Sequence, residues 1–361
     1  MVIKLGIETE ILNEKEKRGV HKSLKNWLLL LSQSRECEVY SFSKSNIMDI
    51  PSNIKQIVVD SKLPLFLWRE FVLPKEIYNM QINIFLSPYT AFPSRLKIPV
   101  IATIHEVSWR IQNTIAPPIE YGRVLYALKN ASRIICVSSS TARDCLKIAK
   151  QRRINIKGRL KVLRHAFFPI KADKHFPQSV RPPIIVSISS PLKRKNLFFH
   201  LDIVSSLAKT NTSFRYILAG PDGKAKEKLY RHAKKLGILK FVEFPGYISE
   251  ADKLKILSEA RILLHLPLSE GFGFVPLEAL SLGCVPVVSE VGGMKELLKS
   301  ACIFIKDLEN PDLISKIVKG VFENHDLREK ILKNGKKILL SRDPIRTRER
   351  LLKVIKGALG S

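Results

Sequence analysis

Two rhythms of apolar and polar residues alternate along the chain: short continuous apolar runs, and longer stretches with apolar residues at helical spacing. In the first half, VIKLGI, CEVYSF, IKQIVV, INIFLS, PVIATI and RIICVS have the length and branched side chains of buried strands. HKSLKNWLLLLSQ, between the first two, has the helical rhythm. After RPP at 181–183 the alternation restarts: IIVSIS, a helix from Lys195, FRYILA, a helix from Gly223, FVEF, a helix from Glu250, and RILLHL. Parallel strands need helical crossovers, so the pattern predicts an α/β fold of two doubly wound domains, 1–180 and 181–342. The Pro-containing stretch near 177–183 reads as the linker. A last helix, about 343–358, starts with Asp343 as N-cap and Pro344 at N1, and is expected to pack back on the first domain. Trp27, Leu28–Leu31 and Phe85 read as core.

The stretch EGFGFVPLE, residues 270–278, stands between ARILLHLP, of strand character, and PLEALSLG, which reads as a short helix. Pro276 suits the first helical position and Gly283 the left-handed position just past the end. CVPVVS then resumes as a buried strand. The glycines allow a ligand close to the backbone, and the helix start offers free N–H groups at a positive dipole end. Glu278 is expected in the first turn and Glu270 at the strand exit. By itself the nonapeptide reads equally as a crossover turn or a phosphate-proximal site.

Composition narrows the class. Hydrophobic residues make up 45% of the 361, enough for two globular cores. No apolar stretch is long enough to span a bilayer, and MVIKLGIETE lacks the layout of a signal peptide. Five scattered cysteines, Cys37, Cys136, Cys145, Cys284 and Cys302, favour a reducing, cytoplasmic compartment. The net charge of +28 points to a polyanionic partner, or to a solvated lysine-rich surface. Arg143 to Lys174 is densest, with 11 basic residues against 2 acids.

Four further stretches sit at strand exits: IETEILNEKEKRGVHKSL with Gly19, TIHEVSW with His105, SSPLKRKNL with Lys193–Asn196, and FPGYIS with Tyr247. Three consecutive cations at a helix N-terminus oppose its dipole unless an anion sits there. Together with ARILLHLPLSEGFGFVPLEALSLGCVPVVSEVGGMKELL and ASRIICVSSSTARD, these stretches resemble the family 4 retaining glycosyltransferases of the GT-B fold. The resemblance implies two Rossmann-like domains facing a central cleft, and a sugar moved from a nucleotide-sugar to an acceptor hydroxyl with retention. It implies that Glu278 accepts the ribose hydroxyls and that Glu270 sits near the transferred carbon. Gly271, Phe272, Gly273, Phe274 and Val275 would hold sugar oxygens and the distal phosphate. Arg194 and Lys195 would neutralise the diphosphate leaving group. His105 would bond a sugar hydroxyl, Gly19 would let the first loop approach, and Tyr247 would flank the base.

The chain departs from many relatives at Ser189 and Ser190, where an arginine or threonine is usual, at Glu106 in place of aspartate, and at EKEKRG in place of a glycine pair. No acidic cluster at metal spacing accompanies the basic loop, so no metal and no cofactor are expected. The donor would be UDP- or GDP-linked. A lipid-linked or cell-surface glycan precursor is the expected acceptor, reached from an anionic membrane surface through Arg143–Lys174, with KLPLFLWREFVLPK (62–75) mixing aromatics and lysines. The rival readings are a GT-B enzyme that glycosylates nucleic acid and a non-catalytic nucleotide-sugar or polyanion binder.

Overall fold

The computed structural model describes residues 2–14, 19–107, 118–168, 170, 180–210 and 212–360. They form two compact units, residues 1–168 with 342–361, and residues 169–341. The first contains a parallel sheet of β1 (Ile3–Glu8), β2 (Cys37–Ser43), β3 (Lys55–Val58), β4 (Ile84–Ser87), β5 (Val100–Ile104), β6 (Arg133–Cys136) and β7 (Leu160–Val162). Their order across the sheet is β3-β2-β1-β4-β5-β6-β7. Period-two geometry divides its side chains between two cores. Leu5, Ile7, Ile84, Leu86 and Ile101 meet Trp27, Leu28 and Leu31 of the helix Gly19–Ser32 on one face. Phe42, Phe85, Val100 and Ile104 meet Trp68, Leu73, Ile77 and Ile148 on the other.

The helix Pro344–Leu359 returns to the first unit, where Leu351 and Ile355 join the core beside Leu24 and Trp27. Asp343 caps it, accepting the Ile345 N–H at 2.8 Å. The break between units falls at Phe168, twelve residues before the predicted boundary at 180. Ala166 and Phe168 still pack into the first core, and the Phe167 N–H donates to the Arg342 carbonyl. Of the predicted core residues Leu29 faces solvent. Strand β7, three residues long, was too short to read from periodicity.

The second unit holds β8 (Ile184–Ile188), β9 (Arg215–Ala219), β10 (Val242–Gly246), β11 (Ile262–His265), β12 (Val285–Ser289) and β13 (Ile303–Ile305), all parallel, in the order β10-β9-β8-β11-β12-β13. This is the doubly wound order in which winding reverses between the first and fourth strands. Ile184, Val186, Ile217 and Leu263 pack on Leu257, Ala279 and Leu282 from the helices Glu250–Glu259 and Phe274–Ser281 and the residue after the latter. The short strand β13 had no clear pattern in the sequence.

Candidate active site

Ligands of open α/β sheets bind where winding reverses, beyond the carboxyl ends of the strands. In the second sheet that point lies between β8 and β11, and the loops leaving these two strands are laced together. The Leu268 N–H donates to the Arg194 carbonyl at 2.7 Å, and Arg194 Nη1 donates to the Ser269 carbonyl at 3.2 Å. Lys195 Nζ lies 2.6 Å from Glu270 Oε2, and His265 Nε2 lies 3.3 Å from the same oxygen. Burial alone would raise the Glu270 pKa, but Lys195, His265 and Arg194 outweigh it and hold the carboxyl well below the usual range. Burial also lowers the His265 pKa, against the pull of Glu270. A neutral ring facing a carboxylate must present its N–H, so Nε2 is the donor. The result is an ionised, nearly dry carboxylate clamped by an ammonium and an imidazole.

The cations Lys193–Lys195 form a single 3₁₀ turn, not the helix start that the sequence predicts. Asn196 follows in the left-handed region (φ 58°), and the helix proper runs Leu197–Ala208. Part of the anion that such a run requires is supplied by the protein itself, as Glu270.

A buried polar network sits beneath the two loops. His200 Nε2 accepts the Leu266 N–H at 3.2 Å, so Nδ1 carries the proton and donates to Ser187 Oγ at 2.9 Å. Ser187 in turn donates to the Leu264 carbonyl and accepts from the Tyr216 hydroxyl. Burial, reinforced by His265, pushes His200 down to about 3. Two glycines close the loops from above. A Cβ at Gly292 (φ +55°) would lie 1.8 Å from the Glu270 carbonyl oxygen, and one at Gly220 (φ +112°) 2.1 Å from that of Ser189. No side chain fits either place.

Residues 171–338, nearly the whole second unit, match the family model described as "Glycosyl transferases group 1". This stretch, just under half of the 361 residues, resembles the group 1 glycosyltransferase domain. Among curated proteins it is similar to a subunit of the phosphatidylinositol N-acetylglucosaminyltransferase of Arabidopsis thaliana, 24% identical over 56% of this chain and 45% of that one. It is also similar to GDP-mannose:cellobiosyl-diphosphopolyprenol alpha-mannosyltransferase of Komagataeibacter xylinus, 29% identical over 37% and 33% of the two chains. The chain thus spans less than half the length of these curated relatives. Among solved structures, Anabaena HepE in complex with UDP and glucose superposes over 98% of this chain and 99% of its own, with a TM-score of 0.76 at 14% identity. That likeness establishes the GT-B fold.

In this group 1 domain the motif helix runs Phe274–Ser281 and starts two residues before Pro276. Gly273 (φ +90°) is its N-cap, because a Cβ there would lie 2.6 Å from Met294 Sδ. Glu278 is therefore the fifth helical residue, in the second turn and not the first. It is 0% exposed and pairs with Lys253 Nζ at 3.0 Å, which also reaches Glu250 at 2.7 Å. Burial would lower the Lys253 pKa, but Glu278 and Glu250 raise it above its ordinary value. Gly283 occupies the predicted left-handed position (φ +78°). Beside it lies buried Arg181, whose Nη1 donates to the Ala260 carbonyl at 2.7 Å and whose Nη2 donates to that of Leu282. One guanidinium thereby caps the carboxyl ends of two helices, where a cation also suits the dipoles. The sequence reading of RPP as linker missed it. It also missed Lys253 and His265, although a histidine at a strand exit five residues before Glu270 was a readable signal.

Tyr247 follows β10 and is exposed. Gly19 and His105 belong to the first unit. Gly19 opens the helix Gly19–Ser32, and the preceding residues 15–18 lie outside the described ones. His105 follows β5. Burial lowers its pKa, and Nε2 lies 2.8 Å from the Pro88 carbonyl, so Nε2–H donates there and Nδ1 is left as acceptor. Its ring stacks at 5.7 Å on His165. At the first sheet's own reversal point, between β1 and β4, a cluster unforeseen in the sequence joins Glu8, Arg69 and Tyr89. Arg69 grips the buried Glu8 carboxylate with Nε at 2.7 Å and Nη2 at 2.6 Å, and the Tyr89 hydroxyl donates to Glu8.

Among the described residues no group of three or more His, Cys, Asp and Glu is placed to hold a metal ion, and no helix is long and apolar enough to cross a membrane. Of the basic stretch 143–174, residues 169 and 171–174 lie outside the description. Arg143, Lys147, Lys150, Arg152, Arg153, Lys157 and Lys161 are exposed, whereas Arg159 is turned inward onto the carbonyls of Leu128 and Ala131.

Proposed function

We propose that the protein moves a sugar from a nucleotide-diphosphate sugar to an acceptor hydroxyl with retention at the anomeric carbon, the acceptor being a lipid-linked or cell-surface glycan precursor. The observation that carries this reading is the Arg194–Lys195–Glu270–His265 cluster at the reversal point of the second sheet. It concentrates preorganised positive charge where an open α/β sheet receives its ligand. Arg194 and Lys195 take the diphosphate and stabilise it as it departs. The N–H groups of Gly271 to Val275 receive sugar oxygens and the distal phosphate at the helix start. Glu278, paired with Lys253, accepts the ribose hydroxyls in this reading, a carboxylate being acceptor-only. Tyr247 flanks the base.

Glu270 is held ionised by its partners. Such a group suits stabilisation of positive charge on the transferred carbon and is a poor proton donor. The acceptor proton then passes to the departing phosphate on the same face, which retains configuration. Two cations at the leaving group replace a divalent metal. The curated relatives' names support a lipid-linked acceptor: one is named for phosphatidylinositol, another for mannose transfer from GDP-mannose to a diphosphopolyprenol.

Melting temperature measured with UDP-, GDP- and ADP-sugars tests this directly. One base class should raise it, Lys195→Ala should reduce the rise, and the product should keep the donor's anomeric configuration by NMR. No rise with any nucleotide-sugar, or an inverted product, overturns the reading.

A further inference from the structure

One side of the stretch 62–75 makes a surface outside the core that its Trp68 and Leu73 join. Its helical residues pass from Leu65–Leu67 through a π-helical turn, Trp68–Val72, into Leu73–Asn79. The wide turn, with its i to i+5 hydrogen bonding, brings residues five apart onto neighbouring positions of one face. Phe66 leads into this turn and Phe71 lies within it, and they are 60% and 52% exposed, with Leu63 and Leu65 also exposed. The opposite side is anchored. Trp68 is buried and donates its indole N–H to the Val59 carbonyl at 3.1 Å, and Arg69 makes the two-pronged contact with Glu8 at the end of β1.

Cations ring the aromatic face. Lys62 and Lys75 are exposed, the Arg95 guanidinium stacks 4.4 Å from the Phe71 ring, and Lys44 Nζ donates to the Leu63 carbonyl at 2.7 Å. Of the neighbouring acids, Glu70 is engaged by the Ser94 N–H and hydroxyl, Glu76 is half-buried, and Asp60 is exposed. The basic helix Ser139–Gln151, by contrast, exposes one large apolar side chain, Leu146.

We infer that this face docks on an anionic lipid bilayer, with Phe66 and Phe71 entering the headgroup–acyl boundary and Lys62, Lys75 and Arg95 meeting lipid phosphates. The choice of lipid as partner rests on the lipid-linked acceptor proposed above. Insertion gains from apolar area and anionic lipid attracts the surrounding cations, and this surface offers both chemistries together. A nucleic acid would use the cations but leave the two phenyl rings in water. The Glu8–Arg69 contact ties the docked face rigidly to the carboxyl end of β1.

The test is co-sedimentation of the full chain with vesicles of phosphatidylcholine, with and without phosphatidylglycerol. The parent should bind the anionic vesicles, and both Phe66→Ser/Phe71→Ser and Lys62→Glu/Lys75→Glu should weaken binding about tenfold or more. Phe66→Trp should shift its emission to the blue on anionic vesicles and be quenched by brominated acyl chains. Nucleotide-sugar thermal shifts should be the same in all of these variants. Binding unaltered by Phe66→Ser/Phe71→Ser overturns the inference. So does binding abolished only by Arg152→Glu/Arg153→Glu/Lys157→Glu. Self-association lost in the phenylalanine variant would make the face an interface between copies, and salt-sensitive duplex DNA binding lost in it would make the partner nucleic acid. Either result also overturns the inference. If vesicle binding behaves as expected while no nucleotide-sugar binds, the glycosyl-transfer reading falls and the docking face stands.

Discussion

Glu270 shows how a residue's neighbours decide what it can do. A carboxyl at this burial would ordinarily favour its neutral form, yet Lys195 at 2.6 Å and the His265 ring keep it ionised. Removing Lys195 strips a preorganised charge from the leaving-group side and leaves Glu270 to His265 and Arg194 alone. Lys195→Ala should lower turnover roughly 10²–10³-fold, measured as donor consumption at saturating donor. A carboxylate held below its ordinary value stabilises the fold above the unfolded pKa of about 4.3, and that stability is lost as pH falls toward the folded value. Melting temperature against pH should therefore drop less steeply below about 4.3 in Glu270→Gln than in the parent.

His200 has the opposite chemistry but the same sign of pH dependence. It stays neutral in the folded protein until about 3, whereas the unfolded chain takes up its proton near 6.5. Stability contributed by the neutral ring is complete above that unfolded value and falls between 6.5 and 3, by roughly 5 kcal/mol in all. His200→Gln should flatten this window in a pH series of urea midpoints. An unchanged slope would mean that His200 titrates normally.

At the level of elements, the site is held by contacts between loops and helix ends. Gly292 permits the loop after β12 to lie against the Glu270 carbonyl, which also accepts the Gly293 N–H at 3.2 Å. Gly292→Ala should displace Glu270, lose most turnover and lower the melting temperature, whereas Gly122→Ala, with nothing within 4 Å of its Cβ, should do neither. Arg181 joins the helices Glu250–Glu259 and Phe274–Ser281 by their carboxyl ends. Arg181→Met keeps the bulk but strands their carbonyls, at a cost of about 3 kcal/mol, readable as a lower urea midpoint.

For the molecule as a whole, the proposed chemistry assigns the leaving-group charge to side chains. Turnover should then survive EDTA, and activity lost to the chelator and restored by Mg²⁺ or Mn²⁺ would refute that assignment. The net charge of +28 predicts vesicle binding that weakens as salt rises, because attraction between exposed charges is screened beyond about 10 Å at 0.1 M.

The sequence by itself determined the two doubly wound sheets, the motif loop and its helix, Gly283 past its end, and Asp343 capping the last helix. Each depends on local periodicity or on backbone preferences within a few residues. Tertiary structure alone decided the rest, because the partners are distant in the chain. Lys195 and Glu270 are 75 positions apart, Arg69 and Glu8 are 61, and Arg181 and Leu282 are 101. No pattern within one segment encodes that Glu270 is clamped, that Glu278 is paired with Lys253, or that Arg181 is a buried cap. The helix start moved from Pro276 to Phe274 for a similar reason: Gly273 could take its left-handed turn against Met294, a residue from the far side of β12. Local preference selects the elements, and what each charged side chain meets is set only when the sheet brings separate strand ends together.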